Sequence, residues 1–204
     1  MSTSTARRHR IAVKTVLWLA CLAPAVSLGV AALTDGLGAN PIEEVTHRTG
    51  WWALVLLTVT LAITPMRRLA GKPGWVRYRR LLGLFAFFYA TLHFLTYLVL
   101  DQFFGWSFII EDIAKRPFIS VGFAAWLILL VLAATSTTGW IRRLRKNWQR
   151  LHRLVYVAVL AAGVHFLWKV KADTREPVVF LVLIAALLLL RLWAPWKRDA
   201  GRSV

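Results

Sequence analysis

Six apolar runs occupy most of this chain, and their length is the feature that most restricts how it can fold. They cover about residues 13–33, 47–65, 81–100, 118–134, 152–168 and 177–194. A helix needs ~20 apolar residues to cross the hydrocarbon core of a bilayer. The chain has 204 residues and is 58% hydrophobic, so little of it remains for a separate soluble domain. We predict an all-α integral membrane protein built as a six-transmembrane-helix bundle.

The charged residues alternate between the two sides of the predicted bundle. With the N-terminus placed inside, 20 of the 26 Lys and Arg residues fall in inside segments, and eight of the nine Asp and Glu residues fall outside. Cytoplasmic loops of membrane proteins carry an excess of Lys and Arg, so both termini are predicted to be cytoplasmic. The net charge of +17 then faces anionic lipid headgroups and does not require nucleic acid as a partner.

The domain organisation follows from these runs. We predict a basic cytoplasmic tail at 1–12, a six-helix transmembrane domain at 13–196 and a second cytoplasmic tail at 197–204. The first run has a long apolar core without a small-residue cleavage site, which favours a retained signal-anchor helix. No glycine-rich nucleotide-binding motif, P-loop or internal repeat is evident. Any reaction is therefore expected within the bundle or at its rims.

Three histidines lie in the third and fifth apolar runs, namely His93, His152 and His165. Ionisable residues inside a membrane span are costly and are candidates for function. They could form hydrogen bonds between helices, relay protons, or ligate haem iron, for which histidine is a usual axial ligand. His47, at the outer mouth of the second run, is either a loop residue or a ligand contact.

The depths of His93 and His165 in their spans are similar. Both runs pass from inside to outside, and the predicted mismatch in depth is roughly 6 Å at ~1.5 Å per residue. Small residues precede each histidine at steps of three and four, namely Gly83, Ala86, Ala90, Ala158 and Ala162. Such residues also permit close helix packing, but their recurrence before both histidines favours a haem held by His93 and His165.

His152 does not share a strict helical face with His165. The thirteen residues between them correspond to ~20 Å along an ideal helix and about 140° around it, unless Gly163 permits a local distortion. The equivalent positions before His93 hold Arg79 and Arg80, so an inner haem with two histidine ligands is not encoded. Four roles stay open for His152: ligand of a second haem, contact of a haem propionate, contact of a quinone, or helix interface. Arg79 and Arg80 are candidate contacts of the same inner site.

Several stretches together resemble one known family. They are "GLGANPIEEVTHRTG", "AITPMRRL", "RRLLGLFAFFYATLHFLTYLVLD", "KRPFISVGFAAWLILLVLAATST" and "WQRLHRLVYVAVLAAGVHFLWKVK", which span most of the chain from Gly36 to Lys171. They are similar to the MsrQ (YedZ) family, the haem-binding membrane subunits of the bacterial periplasmic protein-methionine-sulfoxide reductase system. That family belongs to the ferric-reductase-like transmembrane group.

The resemblance implies a b-type cytochrome of the bacterial inner membrane with one haem b, or two. It implies electron transfer from the quinone pool to a periplasmic molybdopterin-containing methionine sulfoxide reductase that repairs oxidised envelope proteins, with no catalytic site for the sulfoxide in this chain. It also implies bound FMN, although no residue here indicates where. His93 and His165 match the family positions expected to hold haem, and His152 matches a third family histidine.

Three other functions remain as alternatives. A stand-alone transmembrane ferric or quinone reductase would share the haem but need no protein partner. A proton-coupled transporter would use the histidines as a relay and would be colourless. A structural assembly factor would not need its intramembrane histidines.

Overall fold

The structure is a computed structural model that describes residues 3–193. Within these residues the chain is helical and has no β-strand. The α-helices are α1 Thr3–Leu33, α2 Pro41–Leu69, α3 Arg79–Leu95, α4 Trp106–Lys115, α5 Pro117–Ala134, α6 Thr138–Leu144, α7 Lys146–Leu151, α8 Val155–Lys169 and α9 Arg175–Trp193. The predicted tail at 197–204 and the end of the sixth apolar run lie outside the described residues.

Shorter helical turns extend three of the membrane segments. A 3₁₀ turn at Pro73–Tyr78 leads into α3, a π-helical turn at Thr96–Asp101 continues α3, and a 3₁₀ turn at His152–Leu154 leads into α8. Five segments of the described chain are then long and apolar enough to cross a membrane: Arg7–Leu33, Pro41–Leu69, Pro73–Asp101, Pro117–Ala134 and Lys146–Lys169. The fold is that of an all-α membrane protein, and the sixth span, expected at α9, remains a prediction.

The helices differ from the apolar runs at their ends. α2 begins at Pro41, six residues before its apolar run, because the Asn40 side chain accepts a hydrogen bond from the Glu43 amide and Pro41 suits the first turn. α1 begins at Thr3, so the basic segment is helical and continuous with the first span. The short helices α4 and α6 lie in the connections, and α7 forms the start of the apolar segment Lys146–Lys169. α4 and the loop before it expose large apolar side chains, which is typical of a helix at a membrane interface: Phe103, Phe104, Trp106, Phe108 and Ile110.

Five of the helices pack side by side in a ring. α2 packs most extensively against α3, and α5 against α8. α3 also contacts α5, while α9 contacts both α8 and α2 and closes the ring. α1 lies outside and makes fewer contacts, with α2 and α3. The chain therefore forms two helix hairpins, α2–α3 and α5–α8, joined along α3 and α5.

Small residues let these helices approach closely. Ala86 of α3 and Ala158 of α8 are completely buried in the core, so close helix packing explains these two members of the small-residue series. A Cβ atom on Gly163 would lie 2.6 Å from Cδ2 of Leu181, so this glycine lets α8 approach α9. The local distortion considered at Gly163 occurs instead at the 3₁₀ turn His152–Leu154.

Tyr89 fixes α1 to the bundle. Its side chain is fully buried, and its hydroxyl donates to the Cys21 carbonyl at 2.7 Å and accepts from the Ala25 amide at 3.0 Å. These two groups are four residues apart and would bond each other in an uninterrupted helix. Pro24 lies between them inside α1 and lacks an amide hydrogen. The α3 hydroxyl is therefore inserted into the hydrogen-bond ladder of α1.

Replacing Tyr89 by phenylalanine is expected to loosen α1. The variant leaves a buried carbonyl and a buried amide without their partner, which costs roughly 1–3 kcal/mol. Thermal unfolding of the detergent-purified protein, followed by tryptophan fluorescence, measures the loss. Tyr78→Phe is the control, because no hydrogen bond of the Tyr78 hydroxyl occurs within the described residues. Equal destabilisation by both substitutions would show that the inserted hydroxyl is not what matters.

Candidate functional site

The bundle brings His93 of α3 and His165 of α8 next to each other. Their ring centroids are 6.0 Å apart, and the ring planes make an angle of 80°. The sequence predicted that the two residues lie at similar depth. In the structure their side chains meet inside the ring of helices. The π-helical turn Thr96–Asp101 begins three residues after His93, and such turns are frequent at functional sites.

Each imidazole is held by a backbone carbonyl of the preceding hairpin helix. His93 Nδ1 lies 2.8 Å from the Thr46 carbonyl oxygen of α2, and His165 Nδ1 lies 2.7 Å from the Phe118 carbonyl oxygen of α5. A carbonyl oxygen can only accept, so Nδ1 of each ring must carry the hydrogen. In the neutral ring the lone pair is then on Nε2, which is the tautomer that binds a metal.

A glycine makes room for each of these hydrogen bonds. A Cβ atom on Gly50 would lie 3.0 Å from Nδ1 of His93, and one on Gly122 would lie 2.6 Å from Nδ1 of His165. Each glycine follows the accepting carbonyl by one helical turn, where a side chain would cover that carbonyl. The absence of a side chain at these two positions leaves the carbonyls accessible to the imidazoles.

The same arrangement therefore occurs twice in the chain. Each histidine lies 47 residues after its carbonyl and 43 residues after its glycine (93 − 50 and 165 − 122). The two sets are offset by 72 residues (165 − 93), and the fully buried Ala86 and Ala158 share the same offset. No repeat is evident along the sequence as a whole, but these few positions recur with one spacing. Two histidines with a glycine at the same distance before each were the signal in the sequence.

The separation of the two rings is compatible with their binding one haem iron. A metal ion bonded to two histidine nitrogens at ~2 Å each separates the ring centroids by about 6 Å, which matches the observed 6.0 Å. Two imidazoles bound to one metal need not be coplanar, so the 80° angle between the ring planes is compatible with such ligation. The donor set, the tautomers and the room at Gly50 and Gly122 fit haem.

Lys169 and His47 lie at the outer rim of this site. The Lys169 ammonium interacts electrostatically with both His93 and His165, and His47 interacts with His93. His47 is exposed and meets the ring of Phe166 edge-on at 6.1 Å. The structure thus places His47 beside the site, where it could contact an anionic edge of a bound group.

His152 is in a different environment, about half the length of the span away. Its ring stacks on Trp148 at 4.0 Å, and its Nε2 lies 3.2 Å from the Thr135 hydroxyl oxygen. That hydroxyl donates its single hydrogen to the Val131 carbonyl, so Nε2 of His152 must be the donor. Trp148 Nε1 donates to the Thr135 carbonyl at 2.9 Å. This arrangement is that of a helix-interface residue, and the other roles considered for His152 remain predictions.

The two arginines predicted near the inner site are not equivalent. Arg79 is half-buried and interacts electrostatically with His152, whereas Arg80 is exposed. The 72-residue offset pairs Arg80 with His152, so the inner site lacks the duplication seen for the outer histidines. Sequence reasoning missed a further inner residue, Arg191 of α9, whose guanidinium carbon lies 4.8 Å from the ring centroid of Tyr156.

Comparisons with known proteins agree with this architecture. The model of the "Ferric reductase like transmembrane component" family matches residues 49–163, which begin within α2 and end within α8, two residues before His165. No solved structure is significantly similar to the chain.

Curated relatives match along almost the whole chain. The chain is 53% identical over 199 residues to the "Protein-methionine-sulfoxide reductase heme-binding subunit MsrQ" of Xanthomonas axonopodis pv. citri, covering 95% of this chain and 90% of the relative. It is 50% identical to the proteins of the same name from Xanthomonas oryzae pv. oryzae (strain MAFF 311018) and Herminiimonas arsenicoxydans, covering 94% of this chain and 89% of each relative. With this identity over nearly its full length, the chain belongs to the MsrQ family, within the ferric-reductase-like transmembrane proteins.

Proposed function

We propose that this protein is a b-type cytochrome subunit that passes electrons through the membrane to a periplasmic methionine sulfoxide reductase. The observation that carries the proposal is the His93–His165 pair, with ring centroids 6.0 Å apart and both Nδ1 hydrogens donated to helix carbonyls. The names of its relatives, which describe heme-binding subunits of protein-methionine-sulfoxide reductase, support the same function.

The protein's own groups would hold haem b in a defined orientation. Hydrogen bonds from Nδ1 to the Thr46 and Phe118 carbonyls prevent each imidazole from rotating and increase the basicity of Nε2. Haem, when bound, supplies a one-electron redox centre whose potential depends on ligation, burial and nearby charge. His93 and His165 would together hold the haem iron, and a haem held by two histidines suits electron relay.

A cavity between α1, α2 and α3 is the place where we propose that a membrane quinol binds. The cavity has a volume of about 390 Å³, is lined mainly by apolar atoms and includes the rings of Trp52 and Tyr89. Arg48 at its edge provides hydrogen-bond donors for quinone carbonyl oxygens. Tyr89 is one helical turn before His93, so an electron donor in this cavity would be close to the candidate haem ligands.

The sidedness of the protein supports a partner on the outer face. Inside segments carry most of the Lys and Arg residues, which favours cytoplasmic termini in a bacterial inner membrane. The two histidines then lie in the outer half of the bilayer, near a periplasmic molybdopterin-containing reductase. FMN is proposed by family resemblance alone, and no described residue is assigned to it.

Two rival functions make different predictions. A stand-alone ferric or quinone reductase would have the same spectrum but would deliver electrons without the periplasmic reductase. A proton-coupled transporter with a histidine relay would contain no haem. The rings of His93 and His165 could pass protons, but their Nδ1 hydrogens are committed to backbone carbonyls, which favours ligation.

Removing either proposed ligand is expected to abolish normal haem binding. His93→Ala and His165→Ala should each lose most of the Soret absorbance of protein purified after haem-sufficient expression, in both oxidised and dithionite-reduced spectra. His152→Ala is the comparison, and it should keep the outer haem. A fall in the haem-to-protein ratio from two to one in His152→Ala would instead identify a second haem. A full Soret band in both His93→Ala and His165→Ala would exclude this ligand pair.

Filling the space at Gly122 is expected to disturb the site without touching a ligand residue. Its Cβ would lie 2.6 Å from Nδ1 of His165, so Gly122→Ala must displace the ring or break its bond to the Phe118 carbonyl. We expect reduced haem occupancy or a shifted reduced spectrum, and a weaker effect for Gly50→Ala, where the distance is 3.0 Å. Gly83→Ala is the control, because its nearest new contact is 3.9 Å away, at Thr60. Equal effects of all three substitutions would contradict the proposed role of the glycines.

The direction of electron flow can be tested in membranes that contain the protein. A quinol should reduce the haem, and methionine sulfoxide should then reoxidise it only when the periplasmic reductase is also present. The reaction is followed by the absorbance of the reduced haem. Reoxidation by a ferric chelate without the partner, and none by methionine sulfoxide with it, would favour the stand-alone ferric reductase.

A further inference from the structure

A single carboxylate joins the outer ends of the two helix hairpins. Asp112 of α4 accepts at Oδ2 from the Tyr97 hydroxyl at 3.2 Å and from the Gln102 side-chain amide at 3.4 Å. Its Oδ1 lies 3.2 Å from Nε of Arg116. Tyr97 belongs to the π-helical turn after α3, and Gln102 follows that turn, whereas Arg116 directly precedes α5. The Asp112 side chain therefore connects the end of the α2–α3 hairpin with the beginning of the α5–α8 hairpin.

The Asp112 carboxylate is better protected from solvent than its neighbour Glu111. The Asp112 side chain is 15% exposed, whereas that of Glu111 is 53% exposed and pairs with Lys115 inside α4. Hydrogen bonds to a charged group are stronger than neutral ones, and an exposed ion pair contributes little because water screens it. Asp112 is thus able to hold its neighbours in place, and Glu111 provides a matched comparison.

The segment between the π-helical turn and α4 is strained. Phe103 and Phe104 adopt φ values of 47° and 58°, in the left-handed region that residues other than glycine rarely occupy, and both side chains are exposed. The Phe104 amide donates to the Leu98 carbonyl at 3.0 Å. Strained backbone persists only where the surrounding contacts over-determine it. The hydrogen bonds that Asp112 accepts from the residues before this segment supply such contacts.

The connected segments adjoin both candidate haem ligands. The π-helical turn begins three residues after His93, and the Phe118 carbonyl, in the first turn of α5, accepts the Nδ1 hydrogen of His165. A second hydrogen bond ties α4 to the beginning of α5, because the Ser120 hydroxyl donates to the Ile113 carbonyl. Helix α4 is therefore hydrogen-bonded to the segments that adjoin the two imidazoles.

We propose that Asp112 is a positioning residue for the haem site. Its hydrogen bonds tie the segment after His93 to the segment that holds His165, and in this way they set the relative orientation of the two imidazoles. The inference rests on the proposed ligation of haem by these histidines. Groups that hold a metal ligand in place without binding the metal have a strong effect on its affinity. The carboxylate would act through the two helix ends and would not itself bind the iron.

Electron paramagnetic resonance of the ferric haem tests this role. The g values of a ferric haem with two histidine ligands depend on the angle between the imidazole planes, so they report the relative orientation of the rings. Asp112→Asn keeps the size of the side chain but removes its charge and replaces one acceptor by a donor. The variant should shift the g values and increase the rate constant of haem transfer to apomyoglobin by roughly tenfold.

Two further variants separate positioning from a general effect on α4. Tyr97→Phe removes one interaction of the Asp112 carboxylate and leaves its charge intact, so it should change both quantities in the same direction by a smaller amount. Glu111→Gln is the matched control, because it removes a neighbouring carboxylate whose ion pair with Lys115 stays within α4. Its g values and its rate of haem transfer should equal those of the wild type.

Three results would overturn this inference alone. One is unchanged g values and unchanged haem transfer in both Asp112→Asn and Tyr97→Phe. Another is a lower unfolding temperature of these variants with unchanged g values, which would give Asp112 a purely structural role. The third is an equal shift in Glu111→Gln, which would assign the effect to the charge of α4. If Asp112→Asn does not fold, Tyr97→Phe decides. A wild-type protein that binds no haem would overturn the proposed function, and this inference with it.

Discussion

The hydrogen bonds from His93 and His165 to two backbone carbonyls are the interactions on which the site depends. Lipid offers an imidazole no partner, so a histidine in a membrane span must find one in the protein. Thr46 and Phe118 provide it, at 2.8 and 2.7 Å. In each histidine, Nδ1 donates its hydrogen to the carbonyl, so Nε2 is the only ring nitrogen that can bind a metal. These hydrogen bonds also fix which helices must be neighbours, α2 with α3 and α5 with α8.

The two ends of the bundle are built differently. The outer end contains a duplicated unit of carbonyl, glycine and histidine from two similar hairpins, and its acids form local ion pairs. The inner end contains a single histidine held by Thr135 and Trp148 and arginines with unpaired donors. The haem ligand pair that we propose lies at the first end. The two ends of the bundle therefore differ in the chemistry that they can support.

Much of the fold was predictable because apolar length and charge alternation are direct consequences of the bilayer. The six apolar runs correspond to long helices, although α1 and α2 extend beyond their runs where polar residues cap or continue the helix. The short helices α4, α6 and α7 were not predicted, because caps and tertiary contacts define such short elements. Thr137 caps α6, and Trp148 of α7 donates a hydrogen bond to the Thr135 carbonyl. Among the site residues, His93 and His165 could be paired because they lie at similar depths in their spans. Their roles as haem ligands remain predictions.

Apolar length and residue identity were enough to predict an all-α membrane protein, to locate the histidines within its spans, and to show arginines in the third span where a second histidine pair would be needed. The carbonyls that accept from the histidines, the close approach of Gly50 and Gly122 to the imidazoles, and the electrostatic interaction of Arg191 with Arg79 became visible only in the folded chain. The physical reason is that span length and charge are local properties of the chain. Hydrogen bonds between residues 47 apart, and the contacts of α9 with α2 and α8, exist only once the helices have packed.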